Sequence, residues 1–339
     1  MARTMAVTSN GAAATVSVGD ATRRSFLLAS AAALTLGATP EVGFPQFLAE
    51  LRREAVAQGV NPATLDAALN DLRPIDKILE LDRAQPERKL GFAEYLRRAV
   101  NGERVRIGRL RTAEHRPLLD SLGEKYGVEP RVIIALWGME TDYGAFIGGY
   151  PVIAALATLA WDGRRTFFRR ELLQALRILD QGHVSAGDMR GSWAGAMGQA
   201  QFMPSSFTAY AVDHDGDGRK DIWRSTADVL ASIGNYLKQV GWRAELGWGQ
   251  PVKLPPGFAF EAVSLEISKP IEEWARLGVR AEADQRLPAP GAAASIIQPG
   301  GAKGPAYAVT ENYRAIMRWN RSQYFATATG LLADRLAGA

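Results

Sequence analysis

The sequence predicts an α+β protein that is mainly α. Three observations carry this. Apolar residues recur at helical spacing through most of residues 44–242. Between 246 and 305 the composition turns to glycine and proline, with short β-type pieces between the turns. The helical pattern then returns over 311–336. A chain of 339 residues has room for two or three packed subdomains.

The elements follow in order. Phe44, Phe47, Leu48, Leu51 and Ala55 space a helix over 44–58. Leu65 and Leu69 space a second over 63–70, with Asn61-Pro62 as its start signal. The arginine-rich stretch 90–122 keeps apolar residues at Tyr95, Leu96, Ala99, Leu118, Leu119 and Leu122. Together, 39–122 reads as an N-terminal helical subdomain. Helical patterns at 129–142, 151–160, 166–181 and 226–240 make 123–245 the core. A Gly-, Met- and Gln-rich loop at 187–204 and a short helix at 204–211 interrupt it. Residues 246–305 read as a small β-containing insertion, with 258–265 as a β-type piece. Residues 306–339 read as C-terminal helices that return to the core.

The composition excludes much. There is no cysteine, so disulfides, thiolate metal sites, a thiol nucleophile and a lipid-bearing cysteine are ruled out. Three histidines, widely spaced, argue against a His-rich zinc site. Lys+Arg and Asp+Glu number 40 and 36, a near balance with no basic stripe for nucleic acid. Residues 1–38 read as a twin-arginine-type export signal: Arg23-Arg24-Ser-Phe-Leu-Leu28 leads an apolar run ending near Ala38. That run, about a dozen residues, is too short to span a bilayer of about 30 Å. An amphipathic N-terminal helix is the plainer alternative.

Three segments could carry chemistry. Glu140 lies near the end of 128–144, read as one helix, and continues the stripe of Ile133 and Trp137. Burial there would raise its pKa and suit it to general acid work at a cleft edge. A salt-bridged surface Glu fits the same spacing. The loop around Ser192 and Gln201 would let backbone approach a ligand, or would simply join two helices. Asp213, Asp215, Asp217, Gly218 and the carbonyl of Arg219 match positions 1, 3, 5, 6 and 7 of a calcium loop. Arg224 stands at position 12 and cannot ligate, which leaves Asp228 as a displaced closing ligand. A plain Asp/Gly turn is the alternative. Tyr143, Trp193, Tyr236 and Trp319 would stack on sugar rings or fill the core. Asp142, two residues from Glu140, points away from it on a helix.

These pieces together resemble the membrane-bound lytic murein transglycosylase B family. The likeness runs over roughly 44–336. It is most specific at Trp137-Gly-Met-Glu140-Thr-Asp-Tyr-Gly144, at Ala194-Gly-Ala-Met-Gly-Gln-Ala-Gln-Phe-Met-Pro-Ser-Ser206, at 212–223, and at Arg318-Trp-Asn-Arg-Ser-Gln-Tyr324. The resemblance implies a lysozyme-like, mainly helical core with a cleft. It implies cleavage of the β-1,4 bond between N-acetylmuramic acid and N-acetylglucosamine in peptidoglycan. The family's acid–base Glu falls on Glu140, which would protonate the leaving oxygen. It would then take the proton of the muramic 6-hydroxyl as that oxygen closes a 1,6-anhydro ring.

The same resemblance makes Ser192, Gln201, Tyr236, Trp319, Asn320 and Arg165 substrate contacts, with Arg164 beside them. Trp319 stands where members often have Tyr. No cofactor is implied for the chemistry; a structural calcium ion is implied at Asp213, Asp215, Asp217, Arg219 and Asp228. The expected partner is the peptidoglycan glycan strand, with no nucleic acid and no stable membrane anchor. A periplasmic monomer is expected. A lysozyme-type hydrolase and a non-catalytic peptidoglycan-binding protein remain the rival readings.

Overall fold

The computed structural model describes residues 43–84, 90–163, 165–282 and 291–337. The export signal read at 1–38 lies outside them, as does Arg164.

Helix starts are written locally. Asn61 Oδ1 accepts the Ala63 N–H (2.9 Å) and opens α2 (Pro62–Leu69), after α1 (Phe44–Ala57). Short α3 (Asp76–Arg83) and α4 (Phe92–Ala99) follow. Asn101 Oδ1 accepts the Arg104 N–H and opens α5 (Gly102–Glu114), which leads into α6 (Arg116–Tyr126). Pro130 then starts α7 (Pro130–Thr141). A two-residue strand, β1 (Tyr150–Pro151), precedes α8 (Val152–Trp161) and α9 (Arg165–Asp180). Its antiparallel partner β2 (Arg190–Gly191) enters the Gly-rich loop. The loop ends at α10 (Pro204–Tyr210), and α11 (Thr226–Gln239) is capped by Ser225.

Two helices sit innermost. In α7 every residue from Val132 to Thr141 is buried, and in α8 every residue from Val152 to Ala160. Helices apolar on all faces are stable only when enclosed. α5 and α6 pack on α7, as does α11, while α3 and α9 pack on α8. The N-terminal helices thus share one core with the helices around α7.

The glycine- and proline-rich stretch builds a five-stranded antiparallel sheet. Its strands are β3 (Gly249–Lys253), β4 (Lys269–Pro270), β5 (Arg280–Ala281), β6 (Ala293–Ile297) and β7 (Ala306–Val309), in the order β4-β6-β7-β3-β5. Helix α12 (Ile271–Arg276) covers it, and Trp274 anchors a small separate core. The sheet's last strand runs to Val309, past the change of composition at 305. The segment 258–265 is not a strand: it holds a 3₁₀ turn at Phe260–Ala262 and a single bridge, Val263 to Ile296. β4 pairs with β6 at 293–294, and the segment bridges the same strand only at Ile296.

The C-terminal helices are α13 (Glu311–Trp319) and α14 (Gln323–Ala337). Asn320 breaks them with extended backbone (φ −144°, ψ 117°), and its Oδ1 accepts the Ser322 N–H (3.0 Å). α13 joins the sheet to the helical core. Arg314 donates to Ser295 Oγ (2.8 Å), and Asn312 donates to the Arg243 carbonyl (2.9 Å). α14 packs along α7, and Trp248 lies against Gly330, where an added Cβ would sit 2.2 Å from the indole.

Candidate active site

Because α7 is enclosed, it carries Glu140 inside the protein, only 3 % exposed rather than open at a cleft edge. One oxygen, Oε1, accepts the Trp319 indole N–H at 2.8 Å. The other, Oε2, is buried with no protein partner. Burial pushes the carboxyl up to about 8, and the Trp319 N–H pulls the other way. No neighbouring carboxylate contributes to the shift. At neutral pH the side chain is therefore a neutral acid. The indole N–H donates only, so the acid's proton belongs on Oε2.

α7 stops one residue later, short of the expected 144. Asp142 (φ 50°), Tyr143 (φ 61°) and Gly144 (φ 81°) are left-handed in succession. For a residue with a side chain this costs about 1–3 kcal/mol and survives only where the surroundings impose it. Arg104 imposes it here. Its buried guanidinium donates from Nε to Asp142 Oδ1 (2.8 Å) and from Nη1 to the Ala99 carbonyl. Its own carbonyl accepts the Tyr143 hydroxyl (2.8 Å). The Tyr143 ring lies edge-on to Trp137, 5.7 Å away, so Tyr143 is core and not a sugar platform. Trp193 is likewise core. Asp142 is paired through Oδ1 with Arg104.

Of the residues singled out in the sequence, Trp319 bonds Glu140 directly. Trp319 ends α13 and touches the rings of Tyr236 (4.6 Å) and Phe202 (5.1 Å). It is 5 % exposed, so its contact is with the carboxylate more than with any open face. Asn320 follows, with its Nδ2 buried and unpartnered. A buried donor left unpaired costs about 1–3 kcal/mol, which is repaid when a ligand supplies the acceptor. Gln201, beside Phe202, is itself left-handed (φ 48°). Its Nε2 donates to the Ile147 and Gly198 carbonyls, both at 2.9 Å, which fixes the amide. Ser192 Oγ accepts the Ala196 N–H (3.0 Å) and closes the turn of the same loop. Arg165 opens α9, and its side chain lies outside the described atoms.

Sequence reasoning missed three residues. Tyr95 on α4 has its hydroxyl pushed above the usual range by burial and then by the Glu140 carboxylate. Arg104 was hidden in an arginine-rich stretch. Gln199 stood inside a quoted motif with nothing in its spacing to mark it.

The Asp loop is a separate feature. Ligand oxygens of Asp213, Asp215 and Asp217 all lie within 4.8 Å of one another. Gly218 takes the sharp turn at φ 89°. Three hard oxygen donors so placed fit calcium. Arg224 turns outward to Asp188 (2.6 Å). Asp228 does not join the three carboxylates. It is fully buried, and its oxygens accept the His214 and Asp221 N–H groups, both at 2.7 Å. It braces the loop from behind. Asp228→Ala would orphan two buried amides, a loss of about 2–4 kcal/mol in urea unfolding. Asp228→Asn keeps one acceptor oxygen and should lose about half of that; an unchanged midpoint for the Ala variant would contradict the bracing role.

A nearly enclosed acid on a central helix, with an indole donor on one oxygen and the other free, has the form of a general acid. The chain belongs to the family described as Transglycosylase SLT domain, which it matches over residues 43–334. It is 31% identical over 216 residues to the membrane-bound lytic murein transglycosylase B of Escherichia coli (strain K12). That match takes in 59% of this chain and 60% of the relative, so it spans less than two thirds of that protein. SltB3 from Pseudomonas aeruginosa, solved in complex with NAG-anhNAM-pentapeptide, is 44% identical with a TM-score of 0.85, covering 88% of this chain and 80% of that one. The Escherichia coli lytic transglycosylase SLT35, solved in complex with calcium, is 27% identical with a TM-score of 0.74, covering 86% and 92%. The lysozyme-like helical fold expected from the resemblance is that of these structures.

Proposed function

We propose that the chain is a lytic transglycosylase that cleaves the β-1,4 bond between N-acetylmuramic acid and N-acetylglucosamine in peptidoglycan glycan strands. The observation that carries this is Glu140: buried, neutral at pH 7, one oxygen held by Trp319 and the other unpartnered. The proton on Oε2 goes to the glycosidic oxygen as the C1–O bond breaks. The carboxylate so formed keeps the Trp319 N–H. It then takes the proton of the muramic 6-hydroxyl while O6 bonds to C1. Glu140 ends protonated, a 1,6-anhydro ring has formed, and no water is consumed. Intramolecular attack gains from proximity.

Several features support this over a lysozyme-type hydrolase. An inverting hydrolase holds its water with a second carboxylate about 6.5–9.5 Å away. The carboxylate nearest in sequence, Asp142, is bound to Arg104. The partner crystallised with SltB3 carries an anhydro sugar. Gln201, Ser192, Asn320 and Tyr236 are the proposed substrate contacts; the buried, unpartnered Asn320 Nδ2 supports this for Asn320, and the contact of Tyr236 with the Trp319 ring supports it for Tyr236. Arg165, at the start of α9, is proposed as a further contact on the strength of the resemblance alone.

The chain acts outside the cytoplasm as an exported monomer, through the signal read at 1–38. Among the described residues no helix is long and apolar enough to cross a membrane. Asp213, Asp215, Asp217 and the Arg219 carbonyl would hold a structural calcium ion, which would stiffen the loop; the proposed bond cleavage uses no cofactor. Calcium at ten to a hundred times its Kd should raise the melting temperature by several degrees, since about 1.4–2.7 kcal/mol of stabilisation is expected. Asp215→Asn should remove that shift. A melting curve indifferent to calcium would leave the loop as a plain Asp/Gly turn.

The deciding experiment is mass analysis of muropeptides released from purified sacculi. Products one water lighter than hydrolysis products establish the transglycosylase. Hydrated reducing ends favour the hydrolase, and binding without release favours the non-catalytic reading.

A further inference from the structure

The Gly-rich loop contains a residue whose bonds nearly all leave the loop. Gln199 Oε1 accepts the Trp137 indole N–H (3.0 Å), and its Nε2 donates to the Trp223 carbonyl (2.9 Å). Its backbone N–H donates to the Ile222 carbonyl (2.8 Å), and its backbone carbonyl accepts the Thr141 hydroxyl (2.9 Å). Two of these bonds grip α7, and two grip residues 222–223, just beyond the Asp loop. On α7 the gripped residues are Trp137 and Thr141, and Glu140 lies on the turn between them.

The packing at this point is close. A Cβ at Gly144 would lie 2.2 Å from Gln199 Oε1, and one at Gly198 would lie 2.6 Å from the Ile222 carbonyl. The end of α7, the loop and the segment 222–223 therefore meet with Gln199 between them. The Asp loop's exit is itself pinned, because Asp228 accepts the Asp221 N–H and Asp221 accepts the Trp223 N–H (2.9 Å). A primary amide has one acceptor end and one donor end, and this seat uses both. Methionine supplies neither, and an ionised glutamate only accepts.

We propose that Gln199 is a positioning residue: it sets the seat of the Glu140-bearing turn against the Gly-rich loop and ties both to the exit of the Asp loop. The inference rests on Glu140 being the acid and base of the reaction. Misplacing a reacting group by about 1 Å can cost on the order of a hundredfold in rate without weakening binding.

The test uses the full-length protein and soluble glycan strands, with anhydro-ended products counted by mass. Gln199→Met should lower kcat by about tenfold to a hundredfold and leave KM within about threefold. Trp137→Phe, which removes the N–H that Gln199 accepts, should do the same to a lesser degree. The double variant should fall clearly short of the product of the two single losses, because both cut one linkage. Gln199→Glu adds a signature that packing alone would not give. While neutral, the introduced carboxyl can still accept from Trp137 and donate to Trp223; once ionised it cannot donate. Its kcat should fall along an extra limb as pH rises. His115, whose ring lies 6.0 Å from that of Trp137, and Asp221 also face this seat. Wild type carries both, so neither can supply a limb that wild type lacks.

A Gln199→Met variant with turnover within about twofold of wild type would overturn the inference, as would independent losses in the double variant. Should Gln199→Met not fold, Gln199→Glu decides, and a pH profile superimposable on wild type overturns the positioning role. A wild type that releases no anhydro-ended product would instead count against the proposed function.

Discussion

Glu140→Gln is expected to lower release of anhydro-ended muropeptides by about a hundredfold to ten-thousandfold, the range for loss of a general acid–base. The amide keeps the shape and can still accept the Trp319 N–H, so the fold should hold. The variant should bind glycan strands as wild type does. Stability gives a second readout whose sign is fixed by the pKa. Burial raises the Glu140 carboxyl from its ordinary value to about 8. A carboxyl raised in the folded state must be charged in the unfolded chain before it is charged in the folded one. Stability is therefore full below about pH 4.5 and is lost progressively as pH rises from there to about 8. Glutamine has no such loss. The unfolding free energy of Glu140→Gln should gain on wild type across that window, by an amount on the order of a few kcal/mol at pH 8 and above. A constant difference from pH 4.5 to 8 would mean that Glu140 is not held neutral.

Glu140 was legible because a carboxylate in an apolar stripe contradicts its surroundings, and such a contradiction is visible at helical spacing alone. The depth of its burial was not legible. That depends on α7 being covered by α5, α6, α11 and α14, which come from distant parts of the chain. The same limit explains Gln199 and Arg104. Each acts through carbonyls and hydroxyls of other segments, and no spacing rule records a backbone acceptor contributed from afar. The Asp loop was readable at positions 1, 3 and 5, where its carboxylates do cluster. Asp228 was read as a ligand from charge and proximity in sequence; in the structure it stands outside the cluster of three, with its oxygens accepting the His214 and Asp221 amides. The break at Asn320 escaped notice since Asn-Arg-Ser carries neither glycine nor proline. Yet that break ends α13 at Trp319 and leaves Asn320 Nδ2 unpaired next to it.

Trp319→Phe removes the indole N–H and keeps an aromatic ring. The phenyl is smaller than the indole and leaves some buried space, which lowers stability and not the position of a pH limb; the contacts to Phe202 and Tyr236 remain apolar. What disappears is the one donor to Glu140. That donor favours the ionised carboxylate, so its loss should raise the pKa of Glu140 further. Tyr95 is the other titratable group that feels this carboxylate; burial holds it neutral, and it is unchanged in the variant. In wild type the alkaline limb of kcat/KM should fall near pH 8, where the acid form of the free enzyme is titrated away. In Trp319→Phe the limb should move to higher pH by about one unit, the scale of a hydrogen bond to a charged group. Turnover should nonetheless drop by about tenfold to a hundredfold, because a base that is harder to form leaves the ring-closing step without its stabilised carboxylate. The two effects are opposite in sense. Activity is lost at neutral pH, while the profile extends toward alkali. A merely damaged pocket would lower activity at every pH and leave the limb where it was, and that outcome would assign Trp319 to packing alone.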